Sequence, residues 1–290
     1  MTAPPAQVQV PAGLFVCTTY GDIKAETFGA LWELRSFAEK QGLHNVGWAT
    51  VPGALVEKAR NDAVRMMLNA FKDQQGVSHA QWVCFCDADM VPSADALHRL
   101  LGTAYGTHPW SDVVGGYCNL RGHPYLPTLD TGTGTWESIY PQSGVREVIR
   151  TGAAFLLCKR HVFERIPAPW FRVRVPARPL DFMAEVDNWA RIKMDGKNPF
   201  VGLAGQPWEK LMALASSDPS AAPGAFVPLE VGEDSGFCDR VRNAGMRIAV
   251  DTSIEVGHLD RKQIRWTDHR DAMREMEKQW RQAVGCADAA

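Results

Sequence analysis

The chain has 290 residues, 46% of them apolar and 22% charged, and a formal net charge of −2. This is the balance of an ordinary folded protein with room for a sizeable core, and it excludes disordered, collagen-like and coiled-coil classes. The near-neutral charge argues against a strongly basic nucleic-acid binder while leaving room for local basic patches, and no apolar run approaches the roughly 18 residues that a membrane helix needs.

Residues 1–13, rich in Ala, Pro and Gln, have neither a basic start nor an apolar stretch and read as a frayed tail, not a signal peptide. Strand and helix signals then alternate. Residues 14–20 are β-branched and aromatic and predict a first strand, ended by Gly21 and Asp22. Residues 25–41 place Phe28, Leu31, Trp32, Leu34 and Phe37 at helical spacing, which assigns Trp32 to a core-like face. A short strand at 45–50, an amphipathic helix at 55–71 and a nearly continuous apolar strand at 81–86, core-like around Trp82, follow in turn. Ser93 reads as the cap of a helix running to Leu101, and residues 112–116 start a fourth strand. This order predicts an α/β fold with a twisted, mostly parallel sheet flanked by helices.

The second half changes character. Residues 120–136 form a Gly/Pro/Thr loop, 153–158 a strand and 161–165 a short helix. Residues 172–228 are proline-rich, contain a run of small residues at 215–225 and show no alternation, although 207–214 has a helical pattern; such a stretch is usually a functional lid or an insertion. Regularity returns with a helix at 233–244, two strands at 248–251 and 254–257, and a charged helix at 270–283. The seven cysteines (Cys17, Cys84, Cys86, Cys118, Cys158, Cys238, Cys286) include no C-x-x-C pair, so neither a zinc knuckle nor a thioredoxin-like motif is indicated. They predict a reduced, cytoplasmic protein.

Chemistry concentrates at a few points. Asp87-Ala88-Asp89 directly follows the apolar strand, and ligands of open α/β sheets bind at the carboxyl ends of strands. Two hard carboxylates at this spacing can hold Mg²⁺ or Mn²⁺ and, through it, a diphosphate; a solvated turn ending the strand explains the pair equally well. Glu233 and Asp234 start a helix, where acids also complement the helix dipole. Asp251 and His258 end the two late strands, and a lone His in such surroundings is more often a hydrogen-bonded structural residue than a ligand. Of the ten tryptophans, Trp136, Trp170, Trp189, Trp208 and Trp266 fall in loops or irregular chain, where an aromatic face can stack on a sugar or base; Trp170 is the best placed.

Taken in order, several segments resemble a GT-A glycosyltransferase of the family-2-like kind, which includes small soluble phage-encoded enzymes. They are Glu57-Lys-Ala-Arg60-Asn61, Phe85-Cys-Asp87-Ala-Asp89, Val113-Val-Gly-Gly-Tyr117 with Arg121 and Pro124-Tyr125, Thr151-Gly152, Pro169-Trp170-Phe171, Gly232-Glu233-Asp234 with Phe237-Cys238 and Gly245, and Gly257-His258. The resemblance implies one domain over residues 1–290, with a nucleotide-sugar-binding half at 12–119, an acceptor half at 120–258 with an insertion at about 172–231, and a C-terminal helix within 259–290. Asp89, with Asp87 through water, would bind the Mn²⁺ or Mg²⁺ that bridges the diphosphate of a UDP- or GDP-sugar, with His258 as the remaining ligand. Asp234, beside Glu233, would be the general base of an inverting reaction. Thr18, Thr19 and Tyr20 would meet the nucleoside, Arg60, Asn61 and Ala88 would face the donor pocket, and Arg121 would reach donor or acceptor. Trp170, Phe171 and Arg172 would face the acceptor. At a helix start the dipole lowers the basicity of Asp234, which Glu233 and desolvation would oppose.

The insertion departs from the family pattern, in which this stretch is short. It opens with Arg172, Arg174 and Arg178, and the C-terminal part adds Arg261, Lys262, Arg265, Arg270 and Arg274; these either line a phosphate-bearing acceptor groove or are solvated side chains balanced by Asp181, Glu185 and Asp187. Phage enzymes of this type glycosylate hydroxymethylated pyrimidines in DNA, so DNA joins surface glycans, proteins and small molecules as an acceptor class; no membrane partner is expected. A sugar nucleotidyltransferase would need a Gly-rich loop after the first strand, where Gly21 stands alone. A non-catalytic nucleotide- or glycan-binding module would not need Asp87, Asp89, Asp234 and His258 together. A zinc enzyme lacks its His/Cys cluster.

Overall fold

The computed structural model describes residues 10–19, 22–53, 55–120, 125–132, 144–172, 232–259, 263–264 and 271. The chain divides into two compact units, Met1–Phe171 with Phe237–Ala290 and, separately, Arg172–Gly236. Residues 173–231, the body of the expected insertion, lie outside the described residues, as do Trp136, Trp266 and nearly all of the C-terminal helix expected at 270–283.

In the first unit the chain runs β1 (Gly13–Thr19), α1 (Ala25–Lys40), β2 (Val46–Pro52), α2 (Val56–Asn69), β3 (Trp82–Asp87), β4 (Met90–Val91), α3 (Ala96–Gly102) and a π-helical turn (Thr103–Thr107). It continues through β5 (Val113–Cys118), β6 (Leu129–Asp130), β7 (Val145–Val148), β8 (Arg150–Thr151), β9 (Phe155–Lys159) and α4 (Arg160–Arg165). After helix α5 (Glu233–Asn243) come β10 (Ile248–Leu259) and β11 (Gln263–Ile264). The sheet order is β2-β1-β3-β9-β5-β10-β11. From β2 to β10 every strand points the same way except β9, which lies antiparallel between β3 and β5. The mostly parallel α/β sheet is therefore present, with one reversed strand at its centre.

The central strands are buried on both faces, as their unbroken apolar runs require. One apolar layer joins β1, β3 and β9 to α2, α4 and α5; the other joins the same sheet to α1 and α3. Gly13 is obligatory at its position, because a Cβ there would stand 2.1 Å from the indole of Trp82. That indole is fixed in turn by its Nε1 donating to the Pro11 carbonyl at 2.9 Å.

Several expectations are corrected. Trp32 is 64% exposed and Phe28 61%, since α1 turns Thr27, Ala30, Leu34 and Ala38 toward the sheet and lets small residues set a close approach. Ser93 is not the helix cap: α3 starts at Ala96, with Asp95 in the capping position, and the Ser93 hydroxyl donates to Asp95 Oδ1 at 2.7 Å. The two late strands are one, β10, with a bulge between Asp251 and Glu255. Asp251 stabilises that irregularity by accepting from Thr103 Oγ1 (2.7 Å) and from the Ser253 backbone N–H (3.1 Å), so it is a structural carboxylate. Among the described residues, no helix is long and apolar enough to cross a membrane.

Candidate active site

The Asp-x-Asp turn is held by three separate pieces of the sheet. Asp87 N–H donates to the Ala154 carbonyl ahead of β9 (2.9 Å), and Ala88 N–H to the Thr18 carbonyl of β1 (3.0 Å). The Asp89 carbonyl accepts from Leu259 N–H of β10 (2.8 Å), and the next residue, Met90, pairs with His258. A turn with its backbone committed in this way is a fixed platform, not a solvated strand end. It lies at the carboxyl ends of β1 and β3, where α/β sheets bind ligands.

The two carboxylates have different surroundings. Asp87 accepts from the Thr18 hydroxyl at Oδ1 (2.6 Å) and from Arg60 Nη2 at both oxygens (3.1 and 2.9 Å). Thr18 is fully buried, and the Arg60 side chain, carried on the inner face of α2, is 3% exposed. Asp89 instead faces His258, with Oδ2 3.6 Å from Nε2. His258 Nδ1 lies 2.8 Å from the Asn119 carbonyl, which can only accept, so Nδ1 carries a hydrogen and Nε2 is the ring nitrogen directed toward Asp89. An imidazole nitrogen and a carboxylate oxygen so disposed, their backbones fixed by the β4–β10 pairing, fit a divalent ion such as Mn²⁺. Among the described residues, no three His, Cys, Asp or Glu side chains converge on one point. Both carboxylates act on Cys17: burial first, then the charges of Asp87 and Asp89, push its thiol up to about 12.

The remaining expected residues separate by position. Thr19 is buried at the end of β1, next to Thr18; Tyr20 and Arg121 lie outside the described residues. Asn61 is directed at the chain, not at open space. Its Oδ1 accepts from Trp170 N–H (2.8 Å) and Phe171 N–H (3.1 Å), and its Nδ2 donates to the Phe171 and Glu57 carbonyls (both 2.6 Å). Trp170 is 7% exposed, with Nε1 donating to the Phe163 carbonyl at 2.9 Å. Phe171 is fully buried, meets Phe85 edge-on and stacks on Phe237 at 4.3 Å between ring centroids. Replacing Asn61 by Ala leaves two buried backbone N–H groups and a buried carbonyl without partners, which costs about 1–3 kcal/mol apiece. A clear fall in the urea midpoint, with the slope unchanged, is the expected result.

Within the second unit, Arg172 is exposed, and Glu233 and Asp234 form the first turn of α5. Asp234 Oδ1 accepts from Ser235 N–H at 2.6 Å. Sequence reasoning missed Asn119, whose contribution to His258 is a backbone carbonyl and leaves no signature in residue type. It also missed that Thr18 and Arg60 both converge on Asp87.

No known family profile matches this chain, and no curated protein matches it. Solved structures are similar at low identity. The A197 protein from STIV shares 17% identity over 86% of each chain, with a TM-score of 0.48. The Drosophila β-1,4-galactosyltransferase 7, in complex with manganese, UDP-Gal and xylobiose, shares 11% over 86% of this chain and 71% of its own, with a TM-score of 0.36. A glycosyltransferase involved in glycosylation of the major capsid of PBCV-1 shares 11% over 55% of this chain and 68% of its own, with a TM-score of 0.29.

Proposed function

We propose that this chain is a metal-dependent glycosyltransferase of the GT-A kind, moving a sugar from a nucleotide-sugar donor to an acceptor hydroxyl. The observation that carries the reading is the approach of Asp89 to His258 Nε2 on a clamped Asp-x-Asp turn. A bound Mn²⁺ or Mg²⁺ would stabilise the negative charge that builds on the diphosphate as the glycosidic bond breaks. In this reading Asp89 and His258 are its protein ligands, and the Asn119 carbonyl holds the imidazole in the tautomer that coordination needs. In this reading Thr18, Thr19 and Tyr20 meet the nucleoside, and Ala88 faces the donor.

Asp234, with Glu233 beside it, takes the proton from the acceptor hydroxyl, which is a poor nucleophile until a carboxylate does so. This is the role of Asp234 if the reaction inverts. Arg121 reaches donor or acceptor, while Trp170, Phe171 and Arg172 belong to the acceptor side, the buried rings of Trp170 and Phe171 as supports and not as contact surfaces. For the acceptor we favour a hydroxymethylated pyrimidine in DNA, on the strength of the arginines at 172, 174 and 178. A surface glycan or protein is the competing acceptor class.

The reading is tested by thermal denaturation with a panel of UDP- and GDP-sugars, with and without Mn²⁺. Ligand that binds only the native state raises the melting temperature according to its affinity, by about 2.7 kcal/mol of stabilisation at a hundredfold excess over Kd. A shift with one donor that disappears on adding EDTA supports the proposal. Absence of a shift with every donor overturns it in favour of a non-catalytic module.

A further inference from the structure

Asp87 and Asp89 are one residue apart, but their environments make them different groups. Asp87 is bonded at both oxygens by Arg60 and at one by Thr18, whereas Asp89 faces an imidazole nitrogen. The Arg60 guanidinium is itself restrained, with its carbon 5.8 Å from the centre of the Phe171 ring and the side chain almost fully buried. A carboxylate paired with a buried cation has had its charge neutralised locally and is a poor ligand for a second cation.

We infer that Arg60 is a positioning residue that holds Asp87 away from the ion, so that the protein's hold on the metal comes from Asp89 and His258 and is kept deliberately weak. The inference rests on the proposed reading of Asp89 and His258 as the ion's ligands, and it assigns to Arg60 a role other than contact with the donor. Its consequence runs against the usual effect of removing a buried residue. Loss of Arg60 removes a positive charge from the neighbourhood and releases a carboxylate one residue from Asp89, so the ion should bind more tightly.

The test is Mn²⁺ binding to the full chain without any nucleotide, followed by the electron paramagnetic resonance signal of free Mn²⁺. Asp89→Asn should weaken binding at least tenfold. Asp87→Asn should change it by less than about threefold, because a single isosteric change removes a charge already paired with Arg60. Arg60→Met should tighten binding at least threefold, with Arg60→Lys between it and the parent chain. Should Arg60→Met fail to fold because Asp87 is left without its partner, the Arg60→Met/Asp87→Asn pair removes both charges and should bind Mn²⁺ within about threefold of the parent chain and no more weakly than Asp87→Asn. A loss in Asp87→Asn as large as that in Asp89→Asn, or weaker binding in a folded Arg60→Met, overturns this inference alone. Unchanged binding in both Asp89→Asn and His258→Ala overturns it together with the ligand assignment beneath it.

Discussion

Asp234→Asn is expected to leave Mn²⁺-dependent donor binding within about twofold of the parent chain while lowering the rate of transfer at least 100-fold, the usual range for losing a general base. Asp89→Ala is expected to lose both. The contrast separates two roles that a simple activity assay merges. A group used only as the proton leaves the acceptor lowers kcat without changing donor affinity, whereas an ion ligand is needed before any chemistry starts. Calorimetric titration of the donor in the presence of Mn²⁺, alongside product formation, checks the pair. Near-normal turnover in Asp234→Asn would remove the base assignment and leave the ion site standing.

Alkaline pH should unfold this protein unusually early. Burial raises the thiols of Cys17, Cys84, Cys86, Cys118 and Cys158 above the ordinary cysteine value, with the carboxylates of Asp87 and Asp89 adding to the effect at Cys17 and Cys118. The folded chain therefore keeps protons that the unfolded chain releases. Stability from these groups is complete below the unfolded value near 9 and is lost as pH rises toward the folded values. Each thiol ionised only in the unfolded chain contributes a slope of about 1.4 kcal/mol per pH unit, and five acting together give about 7. The urea midpoint should hold steady from pH 7 to 8.5 and fall steeply between about pH 9 and 10.5. In Cys84→Ala/Cys158→Ala the midpoint should start lower, from the lost packing, but fall less steeply with pH. An unchanged pH slope in that variant would mean that other groups, such as the hydroxyls of Tyr105 and Tyr117, which burial also raises, carry the effect.

What could be read from the sequence follows from how locally each feature is encoded. The strand ending in Asp87 was legible because six residues carry both the apolar run and the acid that stops it. β4, β8 and β11 were not, since two residues have no periodicity. Thr252 and Ser253 look like a break, and only the Asp251 side chain, bonding across to Thr103 and back to Ser253, shows why β10 continues through them. α1 was placed correctly but turned wrongly, because periodicity reports the largest apolar residues and the sheet selected the smaller ones. His258 illustrates the limit most clearly. Its position beside Asp89 depends on strand pairing between residues far apart in the chain, and its tautomer on a backbone carbonyl. Residue types alone made it an ordinary histidine.

The stacked rings of Phe171 and Phe237 are the last residue before the second unit and the first after it. A segment whose two ends already touch adds little to the closure entropy of the chain however long it grows, since each doubling of a loop costs only about 0.6 kcal/mol. The Asp-x-Asp turn is thus insulated from the size of what is inserted at this point. Drift or lengthening within residues 173–231, short of Glu233 and Asp234, is compatible with an unaltered scaffold for the Asp-x-Asp turn, Arg60 and His258.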